Sequence, residues 1–527
     1  MSATQKNPDA GSIPLPPPLK EKIKDACAAL SLANLCFITA WFDSLYDADC
    51  YYNKLPVKMP TLLALLTNIF WLTCVLWLAF RIRRRFQNKA LLLLWDLGFL
   101  ILLLIPVNFV RTQVFQIWDY QVIAFFKQPV VLLCTLVFLA LVAWKHGWVV
   151  RGARIVGAIL SPLAAFTVVK AILLCLGVIH LQQQVSKPVL PPPMAVREGG
   201  PRVLWIIFDS ADYRLMFENR PSGVNLPEFD RLRSESVFAD NACSPNTSTI
   251  TSMPSLISGR RVARTGKLYL SDLEVTLADT DATTTWKKLP SVFAETQAMG
   301  VNTALVGWYH PYARVLGDGL NYCSWYPFPA YEPDRAETFS ASMRMQIGCT
   351  FSTPHIRHIY MSICEDSLRD SLSLATNGIY GLTLLHLPPP HTPGVYLPAK
   401  EQLTYWPMTR NTGYLNNVAL ADRELGQIRR VMETSGQWDK TWLIISADHS
   451  WQSAPDYDGK LDFRVPFIVK PPGTADPAAY MPKINTTLTH DLILAILRGS
   501  VTNGQNLVSW LDTNGKPIPT ISGEIDK

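Results

Sequence analysis

The sequence RVLWIIFDS, residues 202–210, is a short apolar run, rich in β-branched and aromatic side chains, that ends in the carboxylate of Asp209. Such a run is typical of a strand buried on both faces. Helical stretches such as NNVALADRELGQIRRVMET (416–434) separate several later runs of the same kind. Those later runs are NTALVG (302–307), YGLTLLHL (380–387), TWLIIS (441–446) and RVPFIV (464–469). The alternation predicts an α/β domain with a mostly parallel central sheet covered on both faces.

Side chains that can bind a metal or move a proton lie at, or just after, the ends of four of these predicted strands. In chain order they are Asp209, His310, His386, His391, Asp448 and His449. Ligands of parallel α/β sheets bind beyond the carboxyl ends of the strands. Carboxylates and imidazoles that converge there suit a divalent metal such as zinc or manganese. The strand ends therefore predict a metal-dependent site.

The N-terminal part has a different composition, because nearly all the long apolar runs lie before residue 182. Each is long enough to span a bilayer, which takes about 20 residues. The runs are 26–46, 60–80, 90–110, 128–144 and 155–181. They predict a transmembrane domain of five helices over 26–181, preceded by an N-terminal segment, 1–25.

The distribution of basic residues predicts the orientation of these spans. RIRRRFQNK (81–89) carries five Lys and Arg residues, and KHGWVVRGAR (145–154) carries three. The opposite loops, about 44–58 and 111–127, carry two each. Basic loops stay in the cytoplasm, so the N-terminus should be cytoplasmic and the chain after residue 182 should lie outside. Much of the net charge of +6 lies in these loops; no basic stripe with interleaved aromatic residues suggests nucleic-acid binding.

The part after the membrane domain divides into a linker and one large domain. Residues 182–200 are polar and then proline-rich, which predicts an extended spacer before a domain over 201–527. That domain contains four cysteines, and Cys349 with Cys364 is the first pairing to expect in an oxidising compartment. Buried free thiols are the alternative.

Several motifs of the domain resemble the alkaline phosphatase and sulfatase superfamily over roughly 201–500. They are VLWIIFDS (203–210), LPEFDRLRSESVFADNACSP (226–245), PSLISGR (254–260), IISADHS (444–450) and THDLILAILRG (489–499). Five spans followed by such a domain resemble the phosphoethanolamine transferases of bacterial envelopes. Lipoteichoic acid synthases and a family of lipid-sensing envelope regulators share this plan.

The resemblance also implies which hydroxyl of SPNTSTITSMPSLISGR (244–260) is the nucleophile. Sulfatases place it ten residues before the Gly of the closing SG pair, and phosphoethanolamine transferases place it five residues before a Pro. Counting back from Gly259 and from Pro254 gives Thr249 both times. Thr247, Ser248 and Thr251 remain alternatives, and a helix N-cap is a compatible structural role.

The superfamily further implies one or two divalent metal ions, with zinc preferred and manganese or calcium as alternatives. The expected metal ligands are Asp209, Thr249, Asp448 and His449. Thr249 would form a phosphorylated intermediate and His391 would protonate the leaving group, while His310 and His386 would bind substrate. A threonine cannot be converted to formylglycine as the Cys or Ser of sulfatases is, which favours phosphoryl transfer over sulfate-ester hydrolysis.

Three features depart from the family pattern. Asp209, on the first strand, stands where the phosphoethanolamine transferases carry a Glu. Trp308 stands where sulfatases carry a Lys that touches the anion. The transferases have a further metal-site His after the Asp-His pair, and none follows Asp448-His449 within residues 450–466. Asp456, Asp458 or Asp462 are the candidates to replace it.

The resemblance thus predicts a multi-pass protein of the bacterial inner membrane, with its catalytic domain in the periplasm or outside the cell. It would transfer a phosphorylated head group from a phospholipid through Thr249 to an envelope lipid or glycan. Phosphoethanolamine is the preferred group, and phosphoglycerol is the next. A sulfatase-like hydrolase and a non-catalytic lipid-binding regulator are the alternatives.

Overall fold

The computed structural model describes residues 19–46, 57–115, 117, 119–179, 188–195, 199–269, 272–327, 338–351, 355–473 and 477–521. Its N-terminal part is helical. The helices are α1 (Leu19–Cys36), α2 (Ile38–Leu45), α3 (Met59–Arg83), α4 (Lys89–Leu102), α5 (Leu104–Phe109), α6 (Asp119–Phe126), α7 (Pro129–Trp144), α8 (His146–Ile159) and α9 (Ser161–Cys175).

Two of the described helices are long and apolar enough to cross a membrane, Met59–Arg83 and Lys89–Thr112. The number rises to four if α1 with α2, and α7 with α8, each form one span despite bends of 70° and 82°. The helix α9, within the predicted fifth span, has 15 residues. The prediction of membrane-spanning helices is therefore confirmed for two to four spans, and five spans are not confirmed.

Buried aspartates gather the basic loops at one end of this bundle. Asp25 of α1 pairs with Arg84 at 2.5 Å and also with Arg154. Asp96 of α4 pairs with Arg83 at 2.5 Å. Because these arginines belong to the two predicted cytoplasmic loops, both loops lie at the same end of the bundle as the beginning of α1.

The C-terminal part is built on strands. They are β1 (Arg202–Phe208), β2 (Val237–Ala239), β3 (Ala242–Cys243), β4 (Val262–Tyr269), β5 (Asp272–Leu277), β6 (Thr283–Thr285), β7 (Thr303–Trp308), β8 (Tyr322–Tyr326), β9 (Leu382–Leu387), β10 (Tyr396–Leu397), β11 (Gln402–Leu403), β12 (Thr441–Ser446), β13 (Ile468–Lys470), β14 (Ala478–Tyr480) and β15 (Ile484–Asn485). Eight form the main sheet, in the order β14-β2-β13-β12-β1-β9-β7-β8. Only the pairings of β13 with β12 and β2 are antiparallel in it, so the mostly parallel sheet is confirmed.

The helices of this part cover both faces of the sheet, apart from one that packs against α3 of the bundle. They are α10 (Pro227–Arg233), α11 (Thr249–Ser258), α12 (Val292–Ala298), α13 (Tyr312–Leu316), α14 (Phe339–Phe351), α15 (His355–Thr376), α16 (Arg410–Thr434), α17 (Ala454–Asp458), α18 (Thr489–Leu497) and α19 (Gly504–Asn514). Leu204 and Ile206 of β1 pack into a core with α10, α15 and α16. Val203 and Trp205 pack into a second core with α11, α12, α18 and α19. Both faces of β1 are buried, which explains its unbroken apolar sequence.

The predicted elements differ from the observed ones mainly at their ends. The helix predicted at 416–434 begins at Arg410, where the Thr409 side chain caps it. The strand predicted at 464–469 begins only at Ile468. Pro466 has no N–H for a sheet hydrogen bond, and Arg464 instead forms an isolated bridge with Cys243.

The linker and disulfide predictions meet different outcomes. Residues 188–195 lie against the domain, since Asn302 bonds the backbone of Met194 through both its Oδ1 and its Nδ2. Residues 182–187 and 196–198 of the predicted linker lie outside the described part of the chain. The predicted Cys349–Cys364 disulfide is wrong, because Cys364 carries a free thiol buried in the core beside α16. Burial also raises the pKa of that thiol well above its usual value.

Helix α14 joins the C-terminal domain to the bundle by packing against α3. The Nδ2 of Asn68 donates to the Oε1 of Gln346 at 3.0 Å and to the carbonyl of Met343 at 3.3 Å. The Nε2 of Gln346 donates to the carbonyl of Thr61 at 2.9 Å. Thr61 and the basic Arg81–Arg83 turn are at opposite ends of α3, roughly 30 Å apart at 1.5 Å per residue. The C-terminal domain therefore docks at the end of α3 remote from the basic loops.

Candidate active site

The carboxyl ends of the two central strands, β1 and β12, place two carboxylates side by side. Asp209 follows β1 and Asp448 follows β12, and both are fully buried. Ser210 takes a φ of 65°, a left-handed conformation that is uncommon for a residue with a side chain. Its N–H donates to Asp448 Oδ1 at 3.1 Å, and its hydroxyl donates to Asp209 Oδ1 at 2.9 Å. The turn after β1 thus fixes the orientation of both carboxylates.

Thr249 is the first residue of α11 and faces this pair. Its hydroxyl donates to Asp448 Oδ2 at 2.7 Å, and Asp209 Oδ2 lies 3.2 Å from the same oxygen. The Nε2 of His449 also lies 3.2 Å from it. Of the hydroxyls proposed from the sequence, Thr249 is the one in contact with the predicted metal ligands; Thr251 instead donates to the carbonyl of Ser248.

The closing glycine of the motif has a structural explanation. Gly259 caps α11 with a φ of 65°, a conformation that favours glycine. A Cβ at this position would lie 2.9 Å from the ring of His490. The spacing between Thr249 and Gly259 therefore reflects a ten-residue helix that begins at the predicted nucleophile and ends against α18.

Hydrogen bonds orient two histidines of the site, and for His449 they also show which ring nitrogen carries a proton. The Nδ1 of His449 lies 2.8 Å from the carbonyl of Ser450, so Nδ1 carries a proton and Nε2 is the ring nitrogen that faces Thr249. The Nδ1 of His386 lies 2.7 Å from the hydroxyl of Tyr312. The Nε2 of His386 is buried 3.6 Å from Asp209 Oδ2 and has no hydrogen-bond partner among the described residues.

Asp209, His386 and Asp448 form the one group of three or more acidic, histidine or cysteine side chains in the described residues that could hold a metal ion. Their ligand atoms all lie within 4.8 Å of one another. The unpartnered nitrogen of His386 and the adjacent buried carboxylates fit a divalent cation, which needs such donors and would compensate their charge. The predicted ligand His449 lies beside the group, with its Nε2 3.5 Å from Asp448 Oδ2.

The structure places His386 within the group that could hold a metal ion, while the substrate-binding role that the resemblance gives it stays a prediction. His386 is the penultimate residue of β9, and it pairs in register with Ile207 of the adjacent central strand. Its position on a strand next to β1 was the available signal, because neighbouring parallel strands end at the same edge.

Opposing effects determine the ionisation of Asp209. Burial by itself would raise the pKa of this carboxyl. Nearby imidazoles outweigh burial and hold the pKa of Asp209 well below its usual range; they belong to His391, His386 and His449. Asp209 is therefore an anion at neutral pH, as a metal ligand must be.

His310 lies next to the backbone of Thr249. It is fully buried, and its Nε2 donates to the backbone carbonyl of Thr249 at 3.1 Å. Burial lowers the pKa of His310 to about 3, so the ring is neutral at physiological pH. Its contacts include Thr249, Trp286 and Tyr312, and its predicted role in substrate binding stays a prediction.

His391 lies in the turn after β9, on the more open side of the site. Its Nδ1 lies 2.5 Å from the carbonyl of Thr392, and its ring packs edge-on against buried Trp308 at 5.1 Å. The hydroxyl of Tyr360 donates within this turn, 2.7 Å from the carbonyl of His391. The Nδ2 of Asn417 donates to the same carbonyl at 2.8 Å. Helices α15 and α16 thus hold the turn that carries the predicted proton donor.

The three acidic residues proposed to replace a second metal-site histidine each pair with an arginine. Asp456 pairs with Arg410 at 2.9 Å and Asp462 with Arg464 at 2.6 Å. Asp458 pairs with Arg214. Since none of these carboxylates belongs to the metal-ligand group found among the described residues, they are committed to ion pairs.

Comparison with known proteins gives a family match over the same region. The family model described as Sulfatase matches residues 201–498. No curated protein sequence matches the chain significantly.

Solved structures are similar to this chain at low sequence identity. A phosphonate monoester hydrolase of Agrobacterium radiobacter has a TM-score of 0.40 and 13% identity, with 56% of this chain and 74% of that chain covered. An alkaline phosphatase superfamily protein from Vibrio parahaemolyticus has a TM-score of 0.38 and 13% identity over 58% and 68% of the two chains. A murine ectonucleotide pyrophosphatase/phosphodiesterase has a TM-score of 0.37 and 12% identity over 58% and 99%.

Proposed function

Because the chain belongs to the sulfatase family, we propose that it is a membrane-anchored phosphotransferase that works through Thr249. It takes a phosphorylated head group from a phospholipid and passes it to an envelope lipid or glycan. Phosphoethanolamine is the preferred group and phosphoglycerol the next. Members of this superfamily are hydrolases or transferases that use divalent metal ions, and the membrane helices favour a lipid donor.

The observation that carries the proposal is the placement of a threonine hydroxyl among the metal-ligand candidates. Its proton already points to Asp448 Oδ2 at 2.7 Å, while Asp209 and His449 supply two further acceptors at 3.2 Å. A threonine cannot form the formylglycine of sulfatases, but its oxygen can form a phosphate ester. The backbone N–H groups at the start of α11 provide the partial positive charge that suits a phosphate.

Two displacements at phosphorus complete the proposed reaction. In the first, Oγ1 of Thr249 bonds to phosphorus and passes its proton to Asp448. The bond from phosphorus to the diacylglycerol oxygen breaks, and His391 gives that oxygen a proton. In the second, an acceptor hydroxyl loses its proton to His391 as it attacks phosphorus; the bond to Oγ1 breaks, and Thr249 recovers its proton.

The residues fit a divalent ion held by Asp209, Asp448, His386 and His449. When bound, such an ion supplies positive charge that stabilises the phosphoryl oxygens in the transition state. The chain's own contribution is to fix the carboxylates through Ser210 and to keep the site dry.

The placement of the catalytic domain supports an extracytoplasmic site in a bacterial inner membrane. The domain docks near Thr61, at one end of α3, through Gln346. The basic turn at the other end of α3 pairs with Asp25 and Asp96. Basic loops favour the cytoplasmic side, so a domain at the opposite end faces the periplasm or the exterior.

Peptide mass spectrometry across residues 244–260 tests this function. Full-length protein in bilayers of phosphatidylethanolamine and phosphatidylglycerol, supplied with zinc, should acquire a head-group mass increment on Thr249. The increment identifies the transferred group, since phosphoethanolamine and phosphoglycerol differ in mass. Adding a hydroxyl acceptor should remove it.

Thr249→Ala should abolish the increment, and Thr251→Ala is the matched control, since its hydroxyl only bonds the Ser248 carbonyl in the same helix turn. Increments lost to water as fast as to any acceptor would identify a hydrolase. An unmodified peptide in the presence of metal and both lipids would contradict the covalent mechanism and favour a lipid-binding regulator.

A further inference from the structure

An exposed pair of aromatic side chains lies on the catalytic domain between β11 and α16. Trp406 is 69% exposed and Tyr405 is 42% exposed. Their rings stack on each other at 5.7 Å, and Tyr405 stacks on His358 of α15 at 5.0 Å and 21°. Large aromatic rings on a soluble surface cost free energy unless something covers them. Their rigid stacking fixes them in that exposed position.

The helix that supports this pair begins at the membrane end of the domain. Helix α14 packs in the bundle, where Gln346 bonds the carbonyl of Thr61 in the first turn of α3. Helix α15 starts four residues after α14 ends, and His358 lies in its first turn. The pair is therefore attached to the part of the domain nearest the outer boundary of the bilayer.

The beginning of α15, which carries His358, also contacts the candidate active site. Tyr360, two residues after His358, donates to the turn that carries His391. Asn417 of α16, the helix that follows the aromatic pair, bonds the same turn. The aromatic pair and His391 are thus held by common elements on one side of the domain.

We propose that Tyr405 and Trp406 form an aromatic anchor that inserts into the head-group region of the outer leaflet beside the active site. Trp and Tyr concentrate at this depth of a bilayer because their rings are apolar and their N–H and O–H groups remain hydrated. The occupant of this surface is the phospholipid interface. The anchor keeps the His391 turn at the level of lipid head groups. The inference rests on the proposed orientation of the domain and not on chemistry at Thr249.

Site-specific photo-cross-linking tests the anchor without any need for catalysis. The full chain, with Trp406→p-benzoylphenylalanine, is placed in nanodiscs of phosphatidylethanolamine and phosphatidylglycerol and irradiated. Phe138, 63% exposed on α7, serves as the lipid-facing reference position. Met481, 60% exposed just after β14 at the opposite edge of the sheet, serves as the solvent-facing reference.

Position 406 should give phospholipid adducts at a yield near that of position 138 and at least about tenfold above position 481. A yield at 406 equal to that at 481, while 138 cross-links, overturns the anchor. Adducts of 406 to a protein instead of lipid also overturn it and indicate a protein partner.

A second measurement separates the anchor from the proposed chemistry. Trp406→Ala should slow head-group labelling of Thr249 from bilayer lipid by roughly tenfold, and Trp406→Tyr should restore it. Labelling from a monomeric short-chain donor should be unchanged by either substitution. Equal loss with both donors would mean that Trp406 supports the fold and not membrane contact. A chain that cross-links at 406 but never labels Thr249 would refute the transferase and leave the anchor standing.

Discussion

The hydroxyl of Thr249 has one proton and three acceptors around it, on Asp209, Asp448 and His449. Two carboxylates in the same buried shell repel each other, and burial alone opposes their charge. The unpartnered His386 nitrogen adds a further donor to the shell. A divalent cation is the simplest group that satisfies all of these atoms.

Substitution of His386 should therefore reduce metal affinity. His386→Ala removes one imidazole ligand and is expected to weaken zinc binding by at least roughly 10- to 100-fold, the loss that removal of an outer-shell partner already causes; titration with a competing chelator measures it. Asp456→Asn is the matched control, because that carboxylate pairs with Arg410. Weaker zinc binding in Asp456→Asn but not in His386→Ala would show that Asp456, and not His386, is the metal ligand.

Buried Glu424 of α16 should make stability depend on pH. Burial raises its pKa to about 8, and its Oε2 has no hydrogen-bond partner among the described residues. The titratable groups that face it are the Tyr360 phenol and the Cys364 thiol of α15 and, on its own helix, the Arg423 guanidinium. In the unfolded chain the carboxyl ionises near its ordinary pKa, so between about pH 4.5 and 8 the folded state holds the extra proton and stability falls as pH rises.

Glu424→Gln removes this titration and should raise the melting temperature at pH 8 by about 2–5 °C, with little change at pH 4.5. Thermal unfolding of the full chain in detergent, followed at several pH values, measures the effect. Glu433→Gln, on the half-exposed side of the same helix, should keep the wild-type decline. A parallel decline in Glu424→Gln and wild type would mean that Glu424 is not the responsible group.

At the residue scale, the sequence predicted those positions that follow from a fixed spacing along the chain. Thr249 was identified by its distance along the chain from Gly259 and Pro254, because both belong to the same helix and helical spacing is regular. Spacing along the chain could not predict that His386 joins the metal-ligand group. Nor could it predict that Arg214 and Arg410 pair with the acidic residues. Those contacts join residues that are far apart in sequence, and the packing of strands and helices brings them together.

At the scale of elements, α14 connects the helical bundle to the C-terminal domain. Gln346 and Asn68 are both buried, and each satisfies the other in a region that offers little water. Unsatisfied amides in such a setting cost about 1–3 kcal/mol each. The contact therefore sets how deeply α14 sits against α3, and with it the height of α15 above the membrane.

Gln346→Ala should loosen this docking without unfolding the sheet. It leaves the Asn68 amide and the Thr61 carbonyl short of a partner, so hydrogen exchange in 339–351 should accelerate by roughly tenfold or more. Strands β1 and β12 should keep their protection. Ser340→Ala, at an exposed position on the same helix, should exchange as wild type does. Faster exchange in β1 as well would show that the substitution damages the domain and not the docking.

The central strands were predictable because both of their faces are buried, which makes their sequences continuously apolar. The bundle was less predictable. Hydrophobicity reports that a segment is apolar, but the 82° bend between α7 and α8 and the break between α1 and α2 depend on local packing. The contact between α14 and α3 was not predictable either. Asn68 and Gln346 are polar residues in the sequence, and they become hydrogen-bond partners only when the two helices pack together.

At the scale of the whole molecule, the basic loops and the C-terminal domain lie at opposite ends of the helical bundle. The basic loops and their buried aspartates lie at one end of α3, and the catalytic domain docks at the other. The metal-ligand group lies where β1, β12 and β9 meet at one sheet edge, between the two cores of the domain. The bundle has a core of its own. A change at the metal site should thus reach the domain and spare the bundle.

Metal removal is the prediction that separates these two parts. A chelator should lower the melting temperature of the catalytic domain by about 5–15 °C, since a ligand at about a thousand times its dissociation constant contributes about 4 kcal/mol. The loss of charge compensation between Asp209 and Asp448 is the cause. Differential scanning calorimetry of the full chain, with bundle unfolding followed separately by hydrogen exchange in α3, measures both parts.

Zinc, manganese, calcium and magnesium are then returned one at a time, and the ion that restores both the thermal transition and Thr249 labelling identifies the metal. Asp209→Asn should abolish the response to every ion, because it removes an anionic ligand of the group. Equal shifts in the domain and the bundle, or a response that survives in Asp209→Asn, would place the stabilising ion elsewhere.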